Sequence, residues 1–434
     1  MSANLEWILN DTYTRKINRS LNFFWIGFGT YAVVYTIASA FSIESNSVLQ
    51  VLQLISMLLF IPAAIDLIQF KIESFYLRIV FILYFAWMLF AIYKGFSSNL
   101  TLVKFDLIDS NFGIFLYLVP IALLFPKNLA FYKKIFDVIV ILCIIYIVLD
   151  ILFIKTLLNR DYSNLISQAT LESFSKNLSF PVGFLLLTYS YHSKKRRTFA
   201  IGIFLLMLLL AVFRARRGLI SMCILVALFS YLLYLLSTKR KIIIIFFSAI
   251  VLFFMVTYIS QAVSSKKNNL FSFLAERGTE DTRTPVEDCF SDDMKQKDWL
   301  IGRGINAEYF CPIVDEDGDI HGYRQAIETG YLQVILNGGF ISIGLMLLIS
   351  LPAIICGIFF SKNMLSKAAA MWILVWLLSL YPANVATFTL NYILVWISIA
   401  ICYSKFIRNM PDVFLKEYFQ HKPSETTLQL LSDR

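Results

Sequence analysis

Three closely spaced arginines are the residues of this sequence best suited to bind an anion. Arg214, Arg216 and Arg217 interrupt an apolar stretch that extends from residue 198 to residue 236. Guanidinium groups hold phosphate oxygens through paired hydrogen bonds, and a helix that begins at Arg217 would add its free N–H groups. Because Arg214 and Arg217 are three positions apart, they share a face wherever the backbone is helical. The cluster predicts a diphosphate site; the alternative is contact with lipid headgroups or loop carboxylates.

A single acid, Glu328, is the candidate for a general base. Residues 325–337 have the pattern of a short amphipathic helix that leads into an apolar run starting at Gly338. Partial burial at this boundary would make the Glu328 carboxylate a stronger base. The alternative is a structural role, since Arg324 lies four residues earlier and would form a surface ion pair with Glu328 on a helix.

Further candidates for substrate contact lie in the polar segment before Glu328. Arg303 stands between two glycines, so the turn could present backbone N–H groups and a cation to a bound anion. An ordinary loop turn is the alternative for this motif. The predicted substrate-binding residues are Arg216, Arg283, Arg303, Tyr323 and Arg324.

The cysteines and histidines limit the possible disulfide and metal chemistry. Four of the six cysteines lie inside apolar runs, whereas Cys289 and Cys311 both lie in the polar segment after residue 262. These two either form a disulfide or remain as separate thiols. The chain has three histidines, and no Cys/His cluster has the spacing of metal ligands, so neither a metal nor a cofactor is expected.

The composition places these residues in a membrane protein. Of 434 residues, 58% are hydrophobic and 15% are charged, which excludes an ordinary soluble domain, a disordered chain and a disulfide-rich secreted scaffold. A bilayer crossing needs about 20 apolar residues. The sequence predicts twelve spans, near 21–42, 47–68, 75–96, 111–126, 133–154, 177–191, 198–213, 217–236, 241–262, 338–360, 367–381 and 386–408.

The distribution of charge predicts the orientation of these spans. Residues 263–327 carry 8 Lys+Arg and 13 Asp+Glu, so the rest of the chain holds a net charge of +14, mostly as short basic clusters between apolar runs. Lys and Arg accumulate in cytoplasmic loops, which places both termini in the cytoplasm and residues 263–327 outside. Clusters of this kind differ from a basic groove for nucleic acid, and a nucleic-acid partner is excluded. The arginines at 214–217 break the rule, since their turn faces outward.

These features divide the chain into five regions. The predicted regions are a cytoplasmic segment 1–20, a nine-helix membrane region 21–262, an external loop 263–337 that ends in an interfacial helix, a three-helix membrane region 338–408 and a cytoplasmic tail 409–434.

The layout resembles the bacterial O-antigen polymerase and ligase superfamily, in detail over about residues 212–218 and 283–345. The shared features are a small-residue/Arg element at 214–218, a Gly-x-Gly turn at Gly302–Gly304, and the spacing of Leu332 and Gly339 at the end of the loop. Where ligases carry a histidine, this sequence has Glu328, which favours a polymerase. The resemblance implies an all-α, GT-C-like inner-membrane protein of about twelve helices with one large periplasmic loop between spans 9 and 10.

The resemblance also implies a reaction. A polymerase joins oligosaccharide units carried on undecaprenyl diphosphate, without a metal and with inversion at the anomeric carbon. Arg214 and Arg217 would then bind the diphosphate and Glu328 would activate the acceptor, while Trp299, Tyr309 and Tyr323 would hold the sugars. Membrane lipids and a chain-length regulator are the other expected partners. The competing functions are an O-antigen ligase and a polysaccharide flippase or other transporter.

Overall fold

The computed structural model describes residues 11–41, 46–159, 164–264, 283–312 and 322–420. Within these residues the chain is almost entirely helical, with one small two-stranded sheet. Seven of the described helices are long and apolar enough to cross a bilayer, so the protein is an all-α polytopic membrane protein. Parts of the predicted regions 1–20, 263–337 and 409–434 lie outside the described residues.

The described residues form nineteen α-helices. They are α1 Asp11–Ala40, α2 Ser47–Leu67, α3 Phe75–Gly95, α4 Leu100–Ile108, α5 Ile114–Leu118, α6 Leu129–Leu152, α7 Ile154–Leu157, α8 Leu165–Phe174, α9 Val182–Leu187, α10 Lys194–Phe213, α11 Arg217–Ser237, α12 Lys241–Ser264, α13 Thr284–Asp293, α14 Gln296–Ile301, α15 Gly330–Phe359, α16 Met364–Ser379, α17 Leu390–Tyr403, α18 Lys405–Asn409 and α19 Asp412–Gln420. The strands are β1 Tyr309–Phe310 and β2 Tyr323–Arg324.

Every predicted span overlaps helical residues, seven of them in helices long enough to cross a bilayer, and two of the shorter ones are irregular. The span predicted at 111–126 is α5 continued by the 3-10 helix Val119–Leu124. The span predicted at 177–191 belongs to a broken helix that starts with α8, changes to a π-helix at Ser175–Ser179 and continues as α9. Pro181 follows the π-helix and lacks the N–H that would continue the ladder, which accounts for the break.

The burial pattern places α16 and α17 at the centre of the bundle. Every residue of α17 is buried, and Trp372 and Trp396 are among the largest fully buried side chains. By contrast, α12 leaves Ile242, Phe246 and Phe254 largely exposed. A helix that is apolar all round and exposed meets lipid or a partner, so these residues fit the outside of a membrane bundle.

Side-chain hydrogen bonds join several of the connections between helices. The joined pairs form two groups, as expected for a chain that alternates between the two ends of a helical bundle. One group joins the basic connections: Lys127 with the carbonyl of Lys71, Arg196 with Asp137, Tyr191 with Asp412, and Arg408 with the carbonyl of Phe360. The other group joins the remaining ones: Asn306 with Asp106, Ser110 with the carbonyl of Phe388, Arg214 with the carbonyl of Thr156, and Arg283 with the carbonyl of Pro382.

The segment before α15 forms a small unit with its own core. Helices α13 and α14 pack with the β1–β2 hairpin around Phe290 and Tyr309, which are both fully buried. A disulfide joins Cys289 on α13 to Cys311 just after β1, with a Cα–Cα distance of 5.1 Å. The hairpin and α13 are thereby held together across a sequence separation of 22 residues.

This unit packs on a bend in α15. The bend is at Gly339, where φ is 68°, and a Cβ atom at this position would lie 2.1 Å from the Leu300 carbonyl oxygen. Residues 330–338 form the short helix that leads into the apolar run. This helix was predicted at 325–337, so it begins five residues later than predicted. Residues 325–328 are not helical, since they lie between β2 at Tyr323–Arg324 and the N-cap Thr329.

Candidate functional site

A cavity of about 770 Å³ lies at the end of the bundle where α10 meets α11. Its walls come from α8, the α10–α11 turn, the start of α13, the residues of β2 and those that follow it, and the α16–α17 connection. Five cations and three carboxylates give its lining a formal net charge of +2, which attracts small anions. The charged side chains that line it are Glu172, Lys176, Arg216, Arg217, Arg283, Glu287, Arg324 and Glu328.

The turn between α10 and α11 separates arginines that are neighbours in the sequence. Arg214 is the C-cap of α10, Ala215 has a left-handed backbone with φ of 50°, and Arg217 is the first residue of α11. Arg214 and Arg217 would share a face only on a continuous helix, and this condition is not met, because one helix ends and another begins between them. The turn directs Arg216 and Arg217 towards the cavity.

Arg214 lies behind the cavity. Its residue is only 2% exposed, and its Nη2 donates to the Thr156 carbonyl at 3.3 Å. A buried guanidinium that donates to a backbone carbonyl fastens the turn to α7. The structure therefore gives Arg214 a structural position in place of the predicted catalytic one.

Arg216 lines the cavity and is held by two residues of α8. Its Nη1 donates to Gln168 Oε1 at 3.0 Å, and its Nη2 pairs with Glu172 Oε2. The other oxygen of Glu172 pairs with Lys176. Sequence reasoning missed Gln168, Glu172 and Lys176, although three polar residues spaced four apart next to an apolar run indicate one polar helix face.

Arg283 connects the unit before α15 to the α16–α17 connection. Its Nη2 donates to the Pro382 carbonyl at 2.6 Å and its Nη1 to the Tyr381 carbonyl at 3.4 Å. Its Nε lies 3.3 Å from Glu328 Oε2. Arg283 thus stabilises one wall of the cavity and fixes the position of Glu328 within it.

Glu328 lies at the edge of the cavity, with its side chain 73% exposed. The expected partial burial of this carboxylate is therefore wrong. Arg324 lies in β2, so Arg324 and Glu328 are not four apart on one helix as the alternative prediction required. A second carboxylate, Glu287 on α13, accepts a hydrogen bond from Thr329 Oγ1 and lines the same cavity.

Arg303 does not reach the cavity, because acceptors within its own segment surround its guanidinium. Its Nε donates to Asp298 Oδ2 at 3.1 Å, and its Nη2 donates to the Asp293 carbonyl at 2.6 Å. Burial alone would lower the pKa of Arg303, but the carboxylates of Asp293 and Asp298 outweigh burial and raise that pKa above its usual range.

The backbone of the Gly302–Gly304 turn is occupied as well. The N–H groups of Arg303 and Gly304 donate to the carbonyls of Leu336 and Asn337 at 2.6 and 2.8 Å. The prediction that this turn and Arg303 bind an anion is therefore wrong. The two glycines let the turn approach the bend of α15, since a Cβ at Gly302 would lie 2.4 Å from the Gly338 nitrogen.

The three aromatic residues expected to hold sugars have different surroundings. Tyr309 is fully buried and donates to the Ala326 carbonyl at 3.0 Å, and Trp299 stacks on Phe340, so these two are structural. Tyr323 does not line the cavity, but it is 47% exposed and lies 5.3 Å from the ring of Phe310. Of the three, Tyr323 is the most exposed, Trp299 is partly exposed and Tyr309 is buried.

A smaller cavity of about 70 Å³ adjoins the first and shares part of its lining. The Ser379 Oγ and Asn391 Oδ1 atoms, on residues that line it, are buried and have no hydrogen-bond partner among the described residues. A volume of about 70 Å³ beside these polar atoms is large enough for several water molecules. The residues that line both cavities are Asn111, Lys176, Asn384 and Thr387.

Among the described residues, no three His, Cys, Asp or Glu side chains come together as ligands for a metal ion. The catalytic and binding residues predicted from the sequence that do meet in space are Arg216, Arg217, Arg283, Arg324 and Glu328. No model of a known protein family, no curated protein and no solved structure matches the chain.

Proposed function

We propose that the protein is an O-antigen or surface-polysaccharide polymerase of the bacterial inner membrane. It joins oligosaccharide units carried on undecaprenyl diphosphate at the periplasmic face, with both termini in the cytoplasm. The twelve crossings and a GT-C-like arrangement belong to the same proposal. The alternatives are an O-antigen ligase and a polysaccharide flippase.

One observation carries the proposal: cations from separate parts of the chain converge on one cavity at the end of an apolar helical bundle. Arg217, Arg283, Arg324 and Lys176 all line this cavity together with Arg216. At such a position, a lipid-linked substrate keeps its tail in the bilayer and its polar head in water. The net charge of +2 complements a diphosphate diester, in which each phosphate carries one ionised oxygen.

The proposed reaction transfers a glycan from the diphosphate to an acceptor hydroxyl. The bond between the anomeric carbon and the diphosphate oxygen breaks, and its electron pair stays on the diphosphate. A new bond forms between the anomeric carbon and the acceptor oxygen, with inversion, because the acceptor approaches opposite the leaving group. Guanidinium groups fixed in advance around the diphosphate stabilise the charge that develops on it.

Glu328 is the proposed base that takes the acceptor proton. Its exposed position at the cavity edge lets a sugar hydroxyl approach from the aqueous side. The Nε of Arg283 at 3.3 Å holds the carboxylate in place. Arg216 and Arg217 reach the same cavity from the α10–α11 turn, so the base and these two cations come from different parts of the chain, as a displacement between two bound sugars needs.

Replacing Arg217 by alanine tests the diphosphate role. We expect Arg217→Ala to lower the yield of long polymer by about 100-fold or more, because one charge that stabilises the leaving diphosphate is lost. Arg240→Ala is the matched control, since Arg240 is an exposed arginine that does not line the cavity. Gels of surface polysaccharide from cells that express equal amounts of each variant measure the effect. Normal polymer length and yield in Arg217→Ala would refute the diphosphate role.

Deletion of the gene separates the polymerase from its alternatives. The proposal predicts single repeat units on lipid A core and no long ladder. Long polymer that accumulates on undecaprenyl diphosphate would indicate a ligase. Lipid-linked single units trapped on the cytoplasmic face would indicate a flippase. Either of these two results contradicts the proposed polymerase.

A further inference from the structure

Glu172 is a negative charge placed inside a cavity proposed to bind an anion. One of its oxygens pairs with Arg216 and the other with Lys176, so a single carboxylate occupies two of the five cations. All three side chains are between 24% and 29% exposed, and all line the cavity. They are therefore accessible to a ligand from the cavity side.

The position of Glu172 allows its carboxylate to leave without a change in the fold. Arg216 keeps its hydrogen bond to Gln168 Oε1 at 3.0 Å, which holds the guanidinium in the cavity when the carboxylate moves away. Glu172 lies on the last turns of α8, directly before the π-helix Ser175–Ser179 that carries Lys176. Rotation of the Glu172 side chain away from Arg216 and Lys176 would leave both cations lining the cavity without their carboxylate partner.

The proposed reaction makes the release of its product difficult. The donor diphosphate is esterified at both ends, whereas the leaving diphosphate has a free terminal phosphate that carries about 1.5 to 2 negative charges near neutral pH. The same cations therefore bind the product more strongly than the substrate. Strong product binding slows turnover unless another group competes for the cations.

We infer that Glu172 is this competitor: it pairs with Arg216 and Lys176 when the cavity is empty and displaces the leaving diphosphate from them. The inference rests on the proposed function. Glu172 touches neither sugar nor diphosphate and acts through the two cations, so it is a positioning residue. The opposite role, in which Glu172 only orients Arg216 and Lys176 for the ligand, predicts weaker anion binding when the carboxylate is removed. The two roles thus differ in the sign of one measurement.

The test measures the affinity of the purified full-length protein for inorganic pyrophosphate by titration calorimetry. We expect Glu172→Gln to bind pyrophosphate about tenfold more tightly than the wild type, because an internal anion no longer competes. In steady-state polymerisation the same variant should show a lower kcat, a lower KM and stronger inhibition by undecaprenyl diphosphate. Asp137→Asn is the matched control, since Asp137 also pairs with an arginine, Arg196, but lies outside the cavity. Its pyrophosphate affinity should equal that of the wild type.

Each outcome has a distinct meaning. Equal or weaker pyrophosphate binding by Glu172→Gln overturns the inference and leaves the proposed function standing. A wild-type protein that binds no pyrophosphate overturns the proposed diphosphate site itself. If Glu172→Gln does not fold, Glu172→Asp replaces it, because the shorter side chain cannot reach both cations and should also bind more tightly. Failure of both variants to fold would assign Glu172 a structural role and overturn the inference.

Discussion

Arg216 and Arg303 both pair with carboxylates, but only Arg216 lines a cavity that a ligand can enter. The acceptors of Arg303 come from residues five to ten positions away in its own segment, including Asp293 and Asp298. A sequence shows that an arginine follows a glycine, but it does not show which oxygen atoms the folded chain brings to it. In the structure, the glycines of this turn have a packing role. The sequence alone does not distinguish that role from anion binding.

Asp106 gives a residue-scale prediction about pH. Its residue is completely buried, Oδ2 accepts from Asn306 Nδ2 at 3.1 Å, and Oδ1 has no partner among the described residues. Burial raises the pKa of Asp106 above its usual value. Because the pKa is higher in the folded state than in the unfolded state, the ionised carboxyl lowers stability at high pH, and this loss disappears as the pH falls. We expect Asp106→Asn to raise the Tm at about pH 8 and to raise it less at about pH 5.

Asp412 provides a control for which the expected change in Tm on replacement by Asn has the opposite sign. Burial alone would raise the pKa of Asp412, but hydrogen bonds from Lys416 and Tyr191 outweigh burial and lower it. Its carboxylate therefore stabilises the fold at neutral pH, and that stability is lost as the pH falls through the lowered pKa. Asp412→Asn should lower the Tm at neutral pH. Thermal unfolding of the purified variants across pH measures both effects, and a Tm of Asp106→Asn that falls at high pH would contradict the account.

At the scale of elements, apolar runs locate helices well and their irregularities poorly. The predicted and observed limits of α2, α3 and α11 agree within a residue. The π-helix at Ser175–Ser179 and the bend at Gly339 were not predicted, because hydropathy indicates an apolar run and not its local backbone geometry. The bend follows from the close approach of the Gly302–Gly304 turn to α15. A hydropathy pattern does not indicate such a contact.

Two glycines of α15 form a matched pair that tests the bend. Gly339 has a φ of 68° and room for no side chain, whereas a Cβ at Gly344 would meet nothing within 4 Å. We expect Gly339→Ala to destabilise the protein by about 2–4 kcal/mol and Gly344→Ala to be neutral or to stabilise it by up to about 1 kcal/mol. Thermal unfolding of both variants in detergent measures the difference. Equal stability of the two variants would show that the Gly302–Gly304 turn does not pack against α15 at this bend.

At the scale of the whole molecule, the sequence predicts the class of protein and the fold class, and it predicts only part of the site. Composition and hydropathy indicate a polytopic helical membrane protein, and the structure confirms this. The site residues are more than 100 positions apart in the sequence, from Glu172 to Glu328. The spacing of Glu172 and Lys176 indicates a polar helix face, but their place in the site becomes visible only when Arg216 is seen next to them.

The most direct test of the central claim is reconstitution of the purified full-length protein in liposomes with oligosaccharide linked to undecaprenyl diphosphate. Gel and mass analysis should show longer glycans and one undecaprenyl diphosphate released for each new linkage. Arg217→Ala should form almost no product, and Arg240→Ala should match the wild type. Unchanged substrate in the presence of folded wild-type protein, or normal elongation by Arg217→Ala, would contradict the account.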